Sequence, residues 1–426
     1  MSQPSPARPA LRRELGKWDL TALGVNQVIG GAIFLAPATI ALYLGSWSWL
    51  AVAFIALLSM AIALNFAEAG SRFQGTGGPY LYTRAAFGGF LSFEVGWMAW
   101  ITRVTSWASV VNGLATALAY YAPTIATGWP RILLIAFVVL SIMWLNVRGI
   151  KQSSAVVNIL TVGKLTPLVI FILLGLPHVG LAPLQLAGTP SWNEISAAAL
   201  LLIFAFGGYE VVPVPAGEAR DPQRDVPFAM IATILIVGAV MMLAQVVALG
   251  TLPGLAKSST PLADASLIFI GAWGAMLMTA GGAVSMAGNN VGAAISGSRS
   301  LFALAEQGDI PRVFGHVHPR FQTPDVAIVF TCLATLAIAL SGTFATLAPI
   351  SAVSRLLVYV GTCASVLMLR RQGRAPFTIP FGPVVPAVAL LVCGAILAGA
   401  TYAQLRAGLV ALAAGAVLYL ITPKRI

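Results

Sequence analysis

Charged residues are scarce in this chain of 426 residues, and their scarcity excludes a soluble fold. Asp, Glu, Lys and Arg together make up 9% of the sequence, whereas soluble domains carry about 25%. Hydrophobic residues make up 58%. Because so few charges cannot cover a water-exposed surface, the composition predicts a protein that lies in the lipid bilayer.

Cysteine and histidine are also rare, with three of each. The cysteines fall in predicted apolar spans without metal-type spacing, so we expect neither a disulfide framework nor a metal site. The histidines fall in predicted loops, where no two-histidine metal motif forms and no histidine lies beside a buried serine or cysteine. The sequence therefore predicts no enzyme, no cofactor and no metal.

The basic residues are distributed unevenly about the apolar spans. The net charge is +11, but it does not require nucleic acid as a partner, since its distribution follows the positive-inside rule. Three basic residues fall outside the cell, namely Arg131, Lys257 and Arg406. Three fall within spans, namely Arg103, Lys164 and Arg355. The others, including Arg8, Lys424 and Arg425, fall in cytoplasmic segments, which places both termini in the cytoplasm. Residues 1–17 are predicted to be a cytoplasmic tail without a cleavable signal.

Runs of about 20 apolar residues predict twelve membrane-spanning helices in an all-α bundle. They lie at 21–45, 47–67, 90–119, 131–147, 154–177, 194–217, 228–251, 266–298, 325–342, 346–369, 381–401 and 404–422. The eighth is long for one helix, so we expect it to leave the bilayer or to bend. Residues 18–426 are interpreted as one transmembrane domain in a cell inner membrane.

Two glycine pairs interrupt this pattern in the first and sixth spans. Gly30 and Gly31 lie in the segment IGGAIF, and Gly207 and Gly208 lie in FGGYE. A broken helix survives in hydrocarbon only where its freed backbone groups meet partners, and paired breaks indicate a transporter's binding site. The alternative is that these glycines allow close helix packing.

The spacing of the breaks predicts an inverted repeat. Since five spans is an odd number, a second copy must lie upside down, with repeats at about 18–178 and 190–372 and two added helices at about 381–422. Freed N–H groups at a helix start attract a carboxylate, and freed carbonyls suit an ammonium group. An α-amino acid carries both groups. The predicted binding residues are Val28, Ile29, Gly30, Gly31, Ala32, Ile33, Phe204, Phe206, Gly207, Gly208 and Tyr209.

Four stretches carry a resemblance to a known family. They are 28–34 with Pro37, 204–210 continuing into 217–227, 298–311 with Thr323 and Pro324, and 75–80. Together they resemble the amino acid–polyamine–organocation superfamily, in particular bacterial amino acid permeases. The resemblance implies a leucine-transporter-type fold of 5+5 inverted repeats with helices 1 and 6 unwound. It also implies alternating access for amino acids or related amines. The family's Gly-Ser-Gly reads Gly30-Gly31-Ala32 here, so carboxylate binding would depend on backbone N–H groups alone.

Two charged residues within spans border the predicted site, and such residues are usually functional. The resemblance implies that Lys164 stands where sodium-coupled relatives hold an ion, bridging helices 1 and 8. It could carry a coupling proton or act as a permanently charged strut. Glu210 resembles a proton-sensing glutamate of arginine–agmatine antiporters. It could instead accept hydrogen bonds from backbone donors at the break.

Further pocket residues are weaker candidates. Phe204 and Phe206 could gate the site or simply pack. Ser106, Trp107, Asn289 and Ser354 could contact substrate or hold helices together. Glu94 and Arg103 lie on opposite faces of one helix and are not expected to pair, whereas Arg355 is expected to meet a carboxylate or carbonyls.

The sequence thus predicts a sodium-independent amino acid transporter of the secondary active type. Proton-coupled symport is the leading interpretation, and exchange of amino acids or amines is the second. A channel or a non-transporting amino acid sensor are the remaining alternatives. A small or apolar amino acid is the preferred substrate, and no obligatory protein partner is expected.

Overall fold

The computed structural model describes residues 11–119, 122–125, 127–342 and 344–422. Throughout these ranges the chain folds into helices and turns, with a single isolated β-bridge between Leu15 and Ala219. Of the basic residues assigned above to the cytoplasm, Arg8, Lys424 and Arg425 lie outside the described residues, as do the first ten residues of the predicted tail.

Fifteen α-helices lie within the described ranges. They are α1 (Lys17–Val28), α2 (Ala32–Leu44), α3 (Ser48–Gly70), α4 (Pro79–Phe87), α5 (Gly89–Ala119), α6 (Gly128–Arg148), α7 (Ile150–Gly175), α8 (Trp192–Phe206), α9 (Pro222–Thr251), α10 (Pro261–Phe269), α11 (Ala272–Glu306), α12 (Asp325–Ser341), α13 (Phe344–Leu369), α14 (Val384–Ala398) and α15 (Tyr402–Ile421).

Seven helical stretches in the described part of the chain are long and apolar enough to cross a membrane, and the chain is a multi-pass membrane protein. Helices α12 and α14 are shorter apolar helices. The long helices α5 and α11 are not among the seven. Charges such as Glu94 and Arg103 on α5, and the many small and polar residues of α11, face other helices rather than lipid.

Both glycine pairs interrupt helices, as the sequence predicts. Helix α1 ends at Val28 and α2 begins at Ala32. Helix α8 ends at Phe206, but the half-helix expected beyond it is not present: the chain runs to α9 through short 3₁₀ turns. Pro213 and Pro215 lack N–H donors and prevent a regular α-helix there. The second break is therefore followed by 3₁₀ turns rather than by a regular α-helix, which corrects the continuous helix predicted for the span 194–217.

Two predicted span boundaries are also corrected, although the bend expected in the eighth span is present. The eighth predicted span begins inside α10, turns at Gly271 with φ of +81°, and continues as α11 to Glu306. The predicted span 381–401 contracts to α14, which follows a turn at Gly382 with φ of +57°. In both places a glycine with positive φ ends the helical path that hydropathy alone extends.

Helix packing brings the two breaks together. Helix α1 contacts α7, α9 and α11, while α2 contacts α8. Helix α5 packs along both α11 and α13. The ends of α1 and α8 are thereby enclosed by α5, α7, α11 and α13, which supply the polar side chains described next.

Candidate functional site

Lys164 on α7 is fully buried, and its ammonium group lies at the first break. Its Nζ donates hydrogen bonds to three carbonyl oxygens. These belong to Asn26 at 3.0 Å, Ile29 at 2.6 Å and Ser285 at 3.0 Å. Breaking the helix frees the first two carbonyls, so the ammonium replaces the amide donors that a continuous helix would supply. The expected bridge from Lys164 to the first and eighth predicted spans, which are α1 and α11 in the structure, is therefore present.

Helix α11 adds a second set of bonds to the same break. The Ser285 hydroxyl lies 2.9 Å from the carbonyl oxygens of both Ile29 and Gly30. The Asn289 side chain donates to the Gln27 carbonyl at 2.9 Å, and Gln27 donates back to the Asn289 carbonyl at 2.7 Å. These bonds hold the end of α1 in its unwound form without any charged group except Lys164.

The start of α2 presents N–H groups without backbone partners. None of the backbone hydrogen bonds found in the described ranges uses the N–H of Gly31, Ala32 or Ile33. At the other break, none of these backbone hydrogen bonds is accepted by the carbonyl oxygens of Ala205 or Phe206 at the end of α8. One break therefore offers donors and the other offers acceptors, which is the polarity that a zwitterionic ligand needs.

The backbones of the two breaks touch. A Cβ placed on Gly208 would lie 2.5 Å from the carbonyl oxygen of Gln27 and 2.8 Å from the nitrogen of Val28. Gly208 also has a φ of +137°, where side-chain-bearing residues are strained. A Cβ on Gly207 would lie 2.2 Å from the Arg355 guanidinium. Glycine is required at 208 by both contact and conformation, and at 207 by contact alone.

Glu210 collects four donors directly after the second break. Its Oε1 accepts hydrogen bonds from Arg103 at 2.5 Å and from Arg355 at 2.8 Å. Its Oε2 accepts the Tyr359 hydroxyl and the Gly208 N–H, both at 2.8 Å. The four residues that bond this carboxylate, Arg103, Arg355, Tyr359 and Gly208, are all buried. The contact expected for Glu210 with a backbone donor is present, together with ion pairs that the sequence did not assign.

A hydrogen-bond chain joins the two breaks. The Arg103 guanidinium bonds Glu210 and also reaches the Gln27 side-chain oxygen at 3.4 Å. Gln27 in turn bonds the Asn289 backbone. As predicted, Arg103 does not pair with Glu94, and Arg355 does meet a carboxylate. Sequence reasoning missed Gln27, Ser285 and Tyr359, since uncharged residues in an apolar span give no distinct signal.

The predicted aromatic residues surround the second break. Phe206 is fully buried, whereas Phe204 is half-buried with the Arg355 guanidinium 5.8 Å from its ring centroid. The Tyr209 ring stacks on Tyr359 with centroids 5.4 Å apart. These contacts account for the aromatic residues as packing in this conformation, and their role as gates stays a prediction.

The remaining candidates are buried but less closely tied to the breaks. Val28, Ile29 and Ile33 are buried in the apolar core. Ser106 and Trp107 lie on α5 one turn beyond Arg103, and in the described residues neither side chain bonds to a break. Ser354 is buried beside Arg355 on α13 and makes an interaction of its own. A substrate contact for these side chains stays a prediction.

A small cavity lies beside the charged cluster. The centre of a water-sized sphere can occupy about 10 Å³ of this cavity, which is room for about one water molecule. Arg103, Glu210 and Arg355 line it together with Thr102 and Ser300. An amino acid is much larger than this cavity.

Comparisons with known proteins show which sequences this chain is similar to. A family model described as amino acid permease matches residues 15–415. The branched-chain amino acid permease BcaP of Bacillus subtilis is 27% identical over 445 residues, covering 98% of this chain and 94% of the relative. The serine/threonine exchanger SteT of Bacillus subtilis is 27% identical and covers 89% of each chain. The human large neutral amino acids transporter small subunit 2 is 27% identical, covering 90% of this chain and 74% of its own length.

Proposed function

Because the chain belongs to the amino acid permease family, we propose that it is a sodium-independent, secondary active amino acid transporter that works by alternating access. Family membership and the transporter-named relatives make it a transporter rather than an enzyme. The superfamily resemblance predicted from the motifs is thereby confirmed.

The observation that carries sodium independence is the position of Lys164. Its ammonium group takes three carbonyl oxygens at the first break, and carbonyl oxygens are the ligands that a sodium ion would need there. A positive charge in the same place repels any other cation. The Lys164 charge then stabilises the unwound segment without an ion from outside.

The substrate is proposed to bind between the two breaks near the bilayer midplane. The N–H groups of Gly31, Ala32 and Ile33 would hold the α-carboxylate, and the carbonyls at the end of α8 would hold the α-ammonium. Since the backbones of the two breaks touch at Gly208 and Gln27, the breaks must separate before an amino acid enters. Phe204, Phe206 and Tyr209, with Ser106, Trp107, Asn289 and Ser354, would surround the side chain.

The proposed architecture is a single domain over residues 18–426 with twelve membrane helices. Repeats at about 18–178 and 190–372 would be related by inversion, with both termini in the cytoplasm of a cell inner membrane. The first break in α1 and α2 and the second after α8 occupy equivalent places in such repeats. No obligatory protein partner is part of the proposal.

Coupling to protons is the preferred mode, with Lys164 and Glu210 as the titratable groups, and exchange is the second. Exchange is favoured by one observation, the match over 89% of the chain to a serine/threonine exchanger. Glu210 already accepts four hydrogen bonds, so proton uptake there would require the cluster to rearrange.

Uptake of radiolabelled amino acids into proteoliposomes tests the proposal. An inward proton gradient should stimulate uptake into empty liposomes, and removing sodium should have no effect. Uptake only into liposomes preloaded with amino acid would establish exchange instead. Strict dependence on sodium would overturn the assignment of Lys164, and amidating the substrate carboxylate without loss of affinity would overturn the proposed contact with α2.

A further inference from the structure

The cluster around Glu210 holds more positive charge than negative. Arg103 and Arg355 both bond the same carboxylate oxygen, so two guanidinium groups share one carboxylate. Their side chains are 4% and 3% exposed, and the Glu210 side chain is 7% exposed. Water therefore cannot screen the excess charge, and an unbalanced charge in a buried site is strongly unfavourable.

The excess charge is accompanied by a free donor. The Arg355 Nη1 has no hydrogen-bond partner among the residues that the structure describes. Glu210 cannot take another bond, since both of its oxygens already accept two donors each. An unpaired buried donor on a charged group is costly, and an added acceptor there would be stabilising.

The remaining polar groups of the adjoining cavity do not supply that acceptor charge. The hydroxyls of Thr102 and Ser300 donate to backbone oxygens of their own helices, at 2.7 Å and 3.0 Å. The rest of the lining is apolar. The cavity is thus largely apolar and lies beside one uncompensated positive charge and a guanidinium group with a free donor, a combination that favours an anion over water.

We propose that the cavity lined by Arg103, Arg355 and Glu210 is an anion-binding site. It is occupied either by a free halide ion or, when the breaks separate, by the side-chain carboxylate of a transported acidic amino acid. The second source rests on the proposed function, whereas the first does not. Glu210, being saturated by its own arginines, is not available to hold a cationic side chain.

Thermal unfolding of the purified full-length chain tests this inference. The protein is compared in sodium chloride and in sodium methanesulfonate of equal ionic strength, and then in methanesulfonate with L-glutamate, L-aspartate, L-glutamine or L-asparagine. Chloride should raise the unfolding temperature of the wild type if a halide occupies the site. L-Glutamate or L-aspartate, but not their amides, should raise it if the site takes a substrate carboxylate.

Variants locate the effect. Arg355→Gln should weaken the apparent affinity for the stabilising anion about tenfold or more, since it removes a charge-assisted bond. Arg224→Gln is the matched control, because that side chain is 90% exposed and pairs with Asp221 rather than with a residue of the cluster. If Arg355→Gln does not fold, Ala99→Val serves instead, since it fills the cavity and leaves all charges in place.

The outcomes separate this inference from the transport proposal. Absence of any response to chloride and to acidic amino acids overturns the anion site, even if neutral amino acids are transported. A response that persists unchanged in both Arg355→Gln and Ala99→Val overturns it too. A chloride response that these variants abolish supports the site even if no amino acid is taken up, a result that would count against the transport proposal alone.

Discussion

At the first break Lys164 meets only carbonyl oxygens, whereas at the second break Glu210 meets two guanidinium groups. The first arrangement places a single charge among backbone dipoles: the Lys164 side chain bonds the carbonyls of Asn26 and Ile29 at the end of α1 and the carbonyl of Ser285 within α11. The second places three charges together and draws them from α5, α13 and the turn after α8. Both stabilise unwound backbone with side chains from other helices, but only the second depends on ion pairs between side chains.

This difference assigns separate roles to the two breaks. A lysine bonded to backbone carbonyls remains paired as long as α1, α7 and α11 move as one body. The Glu210 cluster ties α5 and α13 to the second break, so it must loosen if those helices separate. We therefore expect the first break to be the more rigid of the two and the second to change more during transport.

Removing the Glu210 charge should have the largest effect on stability. Glu210→Gln leaves two buried guanidinium groups without a carboxylate, which costs about 3–5 kcal/mol of unfolding free energy. Glu194→Gln is the control, because Glu194 is exposed and bonds only to Ser191. Urea or thermal unfolding in detergent measures the difference. A loss no greater than the control's would show that the cluster does not stabilise the break.

Lys164→Met should have the next largest effect. It retains the apolar stem but removes the donor for three buried carbonyls, of which the Ile29 oxygen keeps its bond from Ser285. A loss of about 2–3 kcal/mol is expected. Lys151→Met on the same helix is the control, since Lys151 is exposed. Proteoliposome uptake as a function of pH gives the second readout: if the variant retains the full pH dependence of the wild type, Lys164 does not carry the coupling proton.

Much of the first break could be predicted from the sequence, for local reasons. A glycine pair inside an apolar run lowers helix propensity where hydrocarbon otherwise enforces helix, so its position is visible in the chain itself. Lys164 is likewise conspicuous because a lysine within a span is rare. Its partners are backbone carbonyls, which any break supplies, so the contact required no knowledge of a second side chain.

The second break could be predicted only in part. Its glycines are visible, but the ion pairs of Glu210 join residues 107 and 145 positions apart in the chain. Which of several buried charges meet is decided by how α5 and α13 pack, and hydropathy carries no information on that. The prediction of a regular helix after the break was wrong. It gave the apolar composition of the span more weight than Pro213 and Pro215, whose missing N–H groups rule out a regular α-helix.

Gly208→Ala sharpens the comparison at the contact between the breaks. The new methyl group would meet the Gln27 carbonyl, and the backbone at φ of +137° would be strained, for a loss of about 2 kcal/mol. Gly254→Ala is the control: it also has positive φ, at +76°, but a Cβ there meets nothing within 4 Å. Unfolding and uptake are measured together. We expect Gly208→Ala to reduce transport strongly and Gly254→Ala to leave it near the wild-type rate.

Tyr359→Phe is expected to have the smallest effect, and it isolates one bond of the Glu210 cluster. The hydroxyl donates to Glu210 Oε2 at 2.8 Å, and its loss should lower the unfolding free energy by about 1.5 kcal/mol. Tyr209→Phe is a close control, because its ring stacks on Tyr359 at 5.4 Å but its hydroxyl makes no bond to Glu210.

In the double variant with Glu210→Gln, the Tyr359→Phe loss should shrink, since a neutral amide accepts more weakly than a carboxylate. An equal loss with and without the carboxylate would mean that Tyr359 stabilises the second break by packing. Its charge network would then end at the two arginines, and the contrast with the uncharged surroundings of Lys164 would rest on those ion pairs alone.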